Sequence, residues 1–281
     1  MKKLFLFKTE NIFLALAGSA VIGVGISYSD FYLFHLFMLV FFLYQIHIFK
    51  KNNYKVQLNF LSSYHSLFLI FMLLWYMITL FWVNDYFLAF KYIFYIFCGV
   101  YLSLNIVQYS KTISKFDKVF SVLKYLFCFE LIISLLESFS SFRMPISSYS
   151  NISYYFGKQP PDFTIDSLIR LNYLSPPTGF HWNTNDLAIA MSLVLPFFLC
   201  SKKIHIKLLG TISVSIILGM TASRAAFLGF ILLFCVYLIF VKKNFFTLIL
   251  IWIFTFMVFW TIPQAKDSQN PRLSELAGSV E

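Results

Sequence analysis

Long apolar runs separated by short polar breaks organise almost the whole chain. A window of about 19 residues finds runs that are long enough, or nearly so, to cross the roughly 30 Å apolar core of a bilayer as helices. They lie near residues 11–27, 30–49, 63–83, 86–107, 116–140, 185–200, 206–222, 225–241 and 245–262. The pattern predicts an all-α, polytopic integral membrane protein with about nine transmembrane helices.

The composition agrees with a membrane protein and limits the classes of partner that we expect for it. Hydrophobic residues make up 59% of the chain and charged residues 12%, whereas soluble domains carry about 25% charged residues. The net charge of +10 does not indicate a nucleic-acid partner, because Lys and Arg lie in small groups between apolar runs and form no basic stripe. We therefore expect membrane lipids around the helices and no nucleic acid.

The basic residues predict which side of the membrane each junction faces. Lysine groups occur at every second junction, at 2–8, 50–55, 111–118, 202–207 and 242–243. Because positive charge is concentrated on the cytoplasmic side, this spacing predicts a cytoplasmic N-terminus and an outward-facing C-terminal tail. Residues 1–262 are then a transmembrane helical bundle with an outer loop over 141–184. The four arginines all fall on the predicted outer side, and they are Arg143, Arg170, Arg224 and Arg272.

The cysteines indicate neither a metal site nor a disulfide framework. Cys98, Cys128, Cys200 and Cys235 all lie in predicted spans, and no CxxC pair occurs. Such isolated cysteines are typical of buried apolar positions. We therefore expect no bound metal.

The densest polar cluster lies at the end of the outer loop, in the stretch SPPTGFHWNTNDLAIAMSLVLPFF. Its Asn and Asp side chains are favoured where helices begin, so we expect Asn183, Asn185 and their neighbours to form the N-cap of the next span. His181 is a candidate catalytic base, because imidazole exchanges protons near neutral pH. The alternative is that the stretch is only a helix cap with a polar loop.

A second polar cluster, TASRAAFLGF, lies at another predicted outer turn. Ser223 is placed to cap the following helix, which begins at Arg224. This span and the span after Asn183 both start outside, so both direct the positive end of the helix dipole outward. A guanidinium there can bind phosphate oxygens in a bidentate way, although a simple interfacial Arg is the alternative reading.

The fifth predicted span carries a polar face. Glu130, Ser134 and Glu137 are spaced i, i+4 and i+7, and therefore lie on one side of the helix. Ionisable groups within a span are candidates for function, and Glu137, close to the outer end, is a candidate catalytic carboxylate. The alternative is that these carboxyl groups are protonated or paired with Lys91 or Lys124.

The motifs PPTGFHWNTNDLA and, one span later, TASRAAFLGF resemble the O-antigen ligase and O-antigen polymerase superfamily of bacterial membrane glycosyltransferases. The resemblance implies a multi-pass protein of the bacterial inner membrane. It would transfer a glycan from an undecaprenyl-pyrophosphate carrier to an acceptor at the periplasmic face. Lipid A core is the acceptor of ligases, and another carrier-bound glycan is that of polymerases. No cofactor and no metal are implied.

The residues singled out above fit roles in such a reaction. His181 and Glu137 are the candidate catalytic groups, from their own chemistry and position in the sequence. The residues expected to bind the pyrophosphate and glycan are Arg224, Ser223, Asn183, Asn185, Arg170 and Arg272. Many members have an Arg just before the Thr-Gly of the first motif, where this chain has Pro176 and Pro177. Arg170 is then the nearest substitute.

The tail 263–281 contains the stretch PRLSELAGSVE, which resembles the beginning of the family's large periplasmic loop and has Arg272 as its first basic residue. Because that loop carries a catalytic His in the family, an inactive truncated remnant is one alternative. A transporter of lipid-linked glycans is another, but charges concentrate at the predicted outer edge and not at the midplane where transporters bind.

Overall fold

The structure, a computed structural model, describes residues 9–51, 63–150, 152–158, 176–201, 203–221 and 223–241. In these ranges the chain forms helices that each cover most of one of the first eight predicted spans. They are α1 (Thr9–Ile22), α2 (Leu33–Lys51), α3 (Tyr64–Ile78), α4 (Tyr86–Tyr109), α5 (Ile113–Phe139), α6 (Thr184–Leu199), α7 (Ile204–Thr221) and α8 (Arg224–Val241). The predicted span 245–262 lies outside the described residues.

Five of the described helical segments are long and apolar enough to cross a membrane. They are Leu33–Lys51, Tyr64–Trp82, Tyr86–Tyr109, Ile113–Phe139 and Ile204–Thr221. Shorter apolar helices cover Glu10–Gly25, Thr184–Leu199 and Ala225–Tyr237. These helices support the predicted class of helical membrane protein, and the total of about nine spans stays a prediction.

The first junction is longer than the gap between the predicted spans 11–27 and 30–49. α1 ends at Ile22 and is followed by a 3-10 turn over Gly23–Gly25. Two short strands, β1 (Ser27–Tyr28) and β2 (Phe31–Tyr32), then pair antiparallel. Gly23 has a φ of 51°, which a right-handed helix does not contain, so the helix ends earlier than the apolar run does. Among the described residues, the regular structure is helical except for this hairpin.

The chain divides into two compact units. The first comprises Met1–Ala20 and Phe34–Leu123, and the second comprises Val21–Leu33 and Lys124–Glu281. Aromatic rings form the core of the first unit: Phe13 lies 5.6 Å from Phe41 and 4.5 Å from Tyr109, measured between ring centroids. Such contacts are expected in a phenylalanine-rich chain. Aromatic pairs contribute stabilisation in addition to that from the burial of their apolar surface.

The second unit is built around α6, α7 and α8. α6 and α7 approach closely at Gly210, where an added Cβ would lie 2.2 Å from the ring of Phe198. The core of these helices consists of apolar side chains with almost no exposure, including Leu187, Met191, Leu195, Ile217 and Phe230. A glycine at the crossing allows this close packing, as small residues do between membrane helices.

Two contacts establish that α6 and α8 run parallel. A Cβ built on Gly229 would lie 3.8 Å from Ser192 Oγ. Eight residues further along α8, the hydroxyl of Tyr237 donates to the carbonyl of Leu199, at 3.1 Å. From the first contact to the second, the residue number increases along both helices, so the two helices point in the same direction. The starts of α6 and α8 lie at one end of this bundle, which the charge pattern predicts to face outward and which we call the predicted outer end.

Candidate functional site

The polar face predicted on α5 is present and fully buried. Glu130, Ser134 and Glu137 are each 0% exposed. They face the segment Pro176–Asn183, which precedes α6 and which we call the site turn. The two carboxyl groups lie two helical turns apart, about 10 Å along the axis, so each contacts a different part of the turn.

Glu137 holds the site turn through backbone amides. Its Oε2 accepts hydrogen bonds from the amides of Thr178, at 2.7 Å, and Gly179, at 2.6 Å. Its Oε1 accepts from the amide of Met144, at 2.9 Å. Met144 lies at the beginning of the outer loop and Thr178 and Gly179 lie near its end, so Glu137 joins the two ends of the loop. These contacts support a positioning role, and the catalytic role of Glu137 stays a prediction.

Arg143 lies near the same carboxylate. Burial lowers the pKa of the Arg143 guanidinium, whereas the charges of Glu137 and Tyr149 act to raise it. An Arg retains its charge even when its pKa falls, because the ordinary pKa of a guanidinium is far above neutral pH. Arg143 therefore places a positive charge close to the buried Glu137.

Gly179 is the residue of the site turn that tolerates no side chain. Its φ is +55°, and an added Cβ would lie 2.7 Å from Ser134 Oγ and 3.0 Å from Leu187 Cδ1. Glycine adopts such a left-handed conformation without steric cost. The close approach of this glycine to α5 brings the neighbouring amides within reach of Glu137.

His181 pairs with the other carboxyl group of α5. Its Nε2 lies 3.0 Å from Glu130 Oε1, and the side chains are 20% and 1% exposed respectively. The amide of His181 also donates to the carbonyl of Thr178, at 2.9 Å. Among the described residues, neither Glu130 oxygen nor His181 Nε2 has a partner with hydrogen-bond geometry, so the two groups are in contact without a formed hydrogen bond. The arrangement is a partly accessible imidazole beside a buried carboxyl group.

Sequence reasoning placed Glu130 on the right face but did not find this pair. The available signal was the i, i+7 spacing of Glu130 and Glu137, which puts both carboxyl groups on the same face of α5. A lysine partner for Glu130 or Glu137, the alternative considered above, does not occur in the contacts of these two groups within the described residues.

The N-cap of α6 is Asn183 and not Asn185. Asn183 Oδ1 accepts from the amide of Asp186 at 2.9 Å, and its Nδ2 donates to Asp186 Oδ2 at 2.7 Å. Asn183 has the extended backbone of a capping residue, with φ −130° and ψ 164°. Asn185 is already inside the helix and exposed. The expectation that Asn185 takes part in the cap is therefore wrong, because extended backbone occurs two residues earlier.

The start of α8 agrees in position with the second predicted cluster. α8 begins at Arg224, and the carbonyl of Ser223 accepts from the amide of Phe227 at 3.0 Å, as the carbonyl of a capping residue does. Because α6 and α8 are parallel, this start lies at the same end of the bundle as Asn183. Arg170 and Arg272, which were also predicted to bind substrate, lie outside the described residues.

The first hairpin and the outer loop cover the same end. The amide of Ser29 donates to the carbonyl of Phe156 at 2.7 Å. Lys158 donates to the carbonyl of Ser29, and its Nζ lies over the rings of Tyr32, at 5.2 Å, and Trp182, at 5.9 Å. The cation and its aromatic neighbours join the loop, the hairpin and the site turn at the predicted outer end.

Comparisons with known protein families, characterised proteins and solved structures give no significant match for this chain. In the described ranges, no group of three or more His, Cys, Asp or Glu side chains is placed to hold a metal ion. The functional argument therefore depends on the geometry of the site turn and of the starts of α6 and α8.

Proposed function

We propose that the chain is an O-antigen ligase-type membrane glycosyltransferase. It transfers a glycan from undecaprenyl pyrophosphate to an acceptor hydroxyl at the periplasmic face of a bacterial inner membrane. The observation that carries this proposal is the parallel register of α6 and α8. It puts the starts of both helices at the end of the bundle that also holds His181.

The acceptor side of the reaction requires a base. An imidazole beside a carboxyl group is an arrangement in which a histidine accepts a proton from a nucleophile. His181 fits this role, because its side chain is partly exposed while its partner Glu130 is buried. It would take the proton of the acceptor hydroxyl as that oxygen attacks the anomeric carbon of the donor.

The donor side requires positive charge for the departing pyrophosphate. The free amides and dipoles at two neighbouring helix starts favour an anion. Arg224, the first residue of α8, supplies a guanidinium whose planar shape suits phosphate oxygens. Ser223 and Asn183 lie at the same end, where they are placed to contact the carrier headgroup or the first sugar.

A reconstituted transfer assay tests the proposal directly. The purified full chain is placed in liposomes with glycan-loaded undecaprenyl pyrophosphate and either lipid A core or a second carrier-linked glycan. Transfer to the first acceptor identifies a ligase, and transfer to the second identifies a polymerase. If a photoreactive carrier crosslinks to the chain but neither acceptor gains a glycan, the chain only binds the carrier. If the carrier does not crosslink either, the proposal is wrong.

Arg224 provides the sharpest single-residue test. Loss of one electrostatic contact to the transition state typically costs about 10²–10³-fold in rate. Arg224→Ala should show a loss of this size. Arg224→Lys should also be severely impaired, because it keeps the charge but lacks the planar pair of donors. Lys203→Ala, which removes an exposed cation at the opposite end of the bundle, is the control. Normal transfer by both Arg224 variants at normal abundance would leave Arg224 only an interfacial anchor.

A further inference from the structure

We propose that one end of the first compact unit, where α2 and α4 finish, binds the headgroup of an anionic phospholipid. Four lysines with exposed side chains form this site, which we call the lysine cluster: Lys50, Lys51, Lys111 and Lys115. The cluster belongs to a different unit from the site turn, so the proposal does not rest on the proposed transfer reaction.

α2 and α4 run parallel, and their last residues are therefore neighbours. The ring of His35 is stacked on that of Tyr95, with centroids 5.8 Å apart. Further along both helices, Gln45 Nε2 donates to Asn105 Oδ1 at 2.6 Å. Both contacts join residues that are 60 apart in the sequence. The same register places the end of α2, with its two lysines, beside the residues that follow α4.

The other two lysines of the cluster belong to the connection between α4 and α5. Lys111 lies in this connection, between the end of α4 at Tyr109 and the start of α5 at Ile113. The Nζ of Lys115, near the start of α5, lies 5.3 Å from the centroid of the Tyr109 ring. This contact holds Lys115 beside the end of α4. The four ammonium groups are therefore gathered at one end of the unit.

Carboxylates among the described residues do not neutralise the cluster. The salt bridges in this part of the chain include none of the four lysines. Lys118, further along α5, is paired with Glu10 at 2.5 Å. Asp117 is an exposed carboxylate close to the cluster in the sequence. Four lysines against this one aspartate leave a surplus of positive charge that can attract an anion.

The cluster lies where three candidate membrane spans meet the water. Leu33–Lys51, Tyr86–Tyr109 and Ile113–Phe139 are each long and apolar enough to cross a bilayer. The lysines lie in the last turn of the first, just after the second and near the start of the third. The apolar side chains of Ile113 and Phe116, among these lysines, are also exposed. Such a combination of cations and apolar groups at a membrane surface suits a phospholipid, which has a charged phosphate next to apolar chains.

Helix dipoles explain only part of this cluster. α2 and α4 both end here, and a cation near a helix C-terminus is stabilising. That role needs one cation at each helix end, whereas the cluster contains four lysines. Groups of four or more basic residues next to a membrane span are typical of sites that bind anionic lipid. Each such residue contributes about five-fold in affinity, which corresponds to about 1 kcal/mol.

Native mass spectrometry of the purified full chain measures lipid binding directly. The chain is titrated in detergent with phosphatidylglycerol, which is anionic, or with phosphatidylcholine, which is zwitterionic. We expect phosphatidylglycerol to bind with an apparent Kd at least about ten-fold lower. Equal affinities for the two lipids would refute the proposal. Displacement of phosphatidylglycerol by an equal concentration of soluble glycerol phosphate would also refute it, because the cluster would then bind a phosphate anion and not a lipid.

Single variants test whether the cluster is the place of binding. Lys111→Gln should weaken phosphatidylglycerol binding about five-fold, and Lys111→Arg, which keeps the charge, should not. Lys203→Gln is the matched control, because it removes an exposed lysine from another short connection between helices and should change the affinity little. An equal loss in Lys111→Gln and Lys203→Gln would show that only the net charge of the chain matters, and would refute the site.

Two further variants separate lipid binding from a structural role of the lysines. Asp117→Asn removes the neighbouring carboxylate and should strengthen phosphatidylglycerol binding by up to about five-fold. Lysines that only stabilise helix ends would not produce this gain, so an unchanged affinity would count against the proposal. Replacement of all four lysines by Gln should abolish the preference for phosphatidylglycerol. If that variant keeps both its helical circular dichroism spectrum and the preference, the proposal is wrong.

Discussion

At two positions of the site turn, the backbone conformation explains which residue is present. Gly179 is in the left-handed region, and Asn183 is extended immediately before α6. The first permits the close contact with α5, and the second begins the helix below the turn. Each position can be tested with a matched substitution elsewhere in the chain.

Gly179→Ala should destabilise the protein. A non-glycine residue in the left-handed region costs about 1–3 kcal/mol, and the new Cβ would also meet Ser134 Oγ at 2.7 Å. The midpoint of thermal unfolding in detergent should therefore fall. Gly99→Ala on α4 is the control, because no atom lies within 4 Å of its added Cβ and alanine favours a helix. Equal midpoints for the two variants would contradict this account of the turn.

Asn183→Ala should cost about 1 kcal/mol, the usual effect of losing an N-cap side chain. Asn185→Ala should have almost no effect on stability, because Asn185 is exposed within the first turn of α6. The loss of stability of the two variants, measured side by side by denaturant or thermal unfolding, shows which of the two side chains caps α6. A larger loss for Asn185→Ala would restore the expectation drawn from the sequence.

At the scale of secondary-structure elements, the end of α6 opposite the site turn is closed by a residue of α8. Leu199 is the last residue of α6, and helix ends leave carbonyls without partners inside the helix. The Tyr237 hydroxyl donates to the Leu199 carbonyl and lies 3.3 Å from Lys207 Nζ on α7. One hydroxyl thus connects all three helices where the charge pattern predicts the cytoplasmic side.

Tyr237→Phe should therefore loosen the α6–α8 bundle. Removing the hydroxyl leaves a buried carbonyl and a buried ammonium with one partner fewer, and an unsatisfied buried group costs about 1–3 kcal/mol. We expect a lower unfolding midpoint with an unchanged helical circular dichroism spectrum. Tyr64→Phe, at a position that is 89% exposed on α3, should leave the midpoint unchanged. Equal effects would show that the contacts of Tyr237 contribute nothing to stability.

At the scale of the whole molecule, the orientation of the α6–α8 bundle in the membrane is the property on which the proposed reaction depends. Lysines concentrate at one end of this bundle, and the site turn lies at the other. The proposed transfer takes place at the periplasmic face, and it therefore requires that the site turn face that side.

Cysteine labelling in intact spheroplasts measures this orientation. In a background without the four native cysteines, Tyr155→Cys should react with a membrane-impermeant maleimide, because Tyr155 is 67% exposed in the outer loop. Lys203→Cys, also at an exposed position, should react only after permeabilisation. Labelling of Lys203→Cys in intact spheroplasts would reverse the orientation and exclude transfer at the periplasmic face by this site.

Hydropathy alone was enough to place the helices of the described residues, whereas the orientation that the charge pattern predicts stays a prediction. The described helices match eight of the predicted spans, and the spacing of Glu130, Ser134 and Glu137 correctly placed all three on one buried face. Such predictions succeed because helix formation and burial in an apolar phase depend on residues close together in the sequence.

The partners of those residues depended on the tertiary structure. Glu137 binds amides 41 and 42 residues away, and Glu130, also on α5, lies 3.0 Å from His181 of the site turn. Local patterns carry little information about such pairs, because the path of the loop between α5 and α6 decides which atoms meet. The same holds for the hairpin after α1 and for the choice of Asn183 as the cap. Both features depend on backbone dihedral angles, which the spacing of apolar residues does not determine. At these two places the dihedral angles are set by the packing of the loops at the predicted outer end.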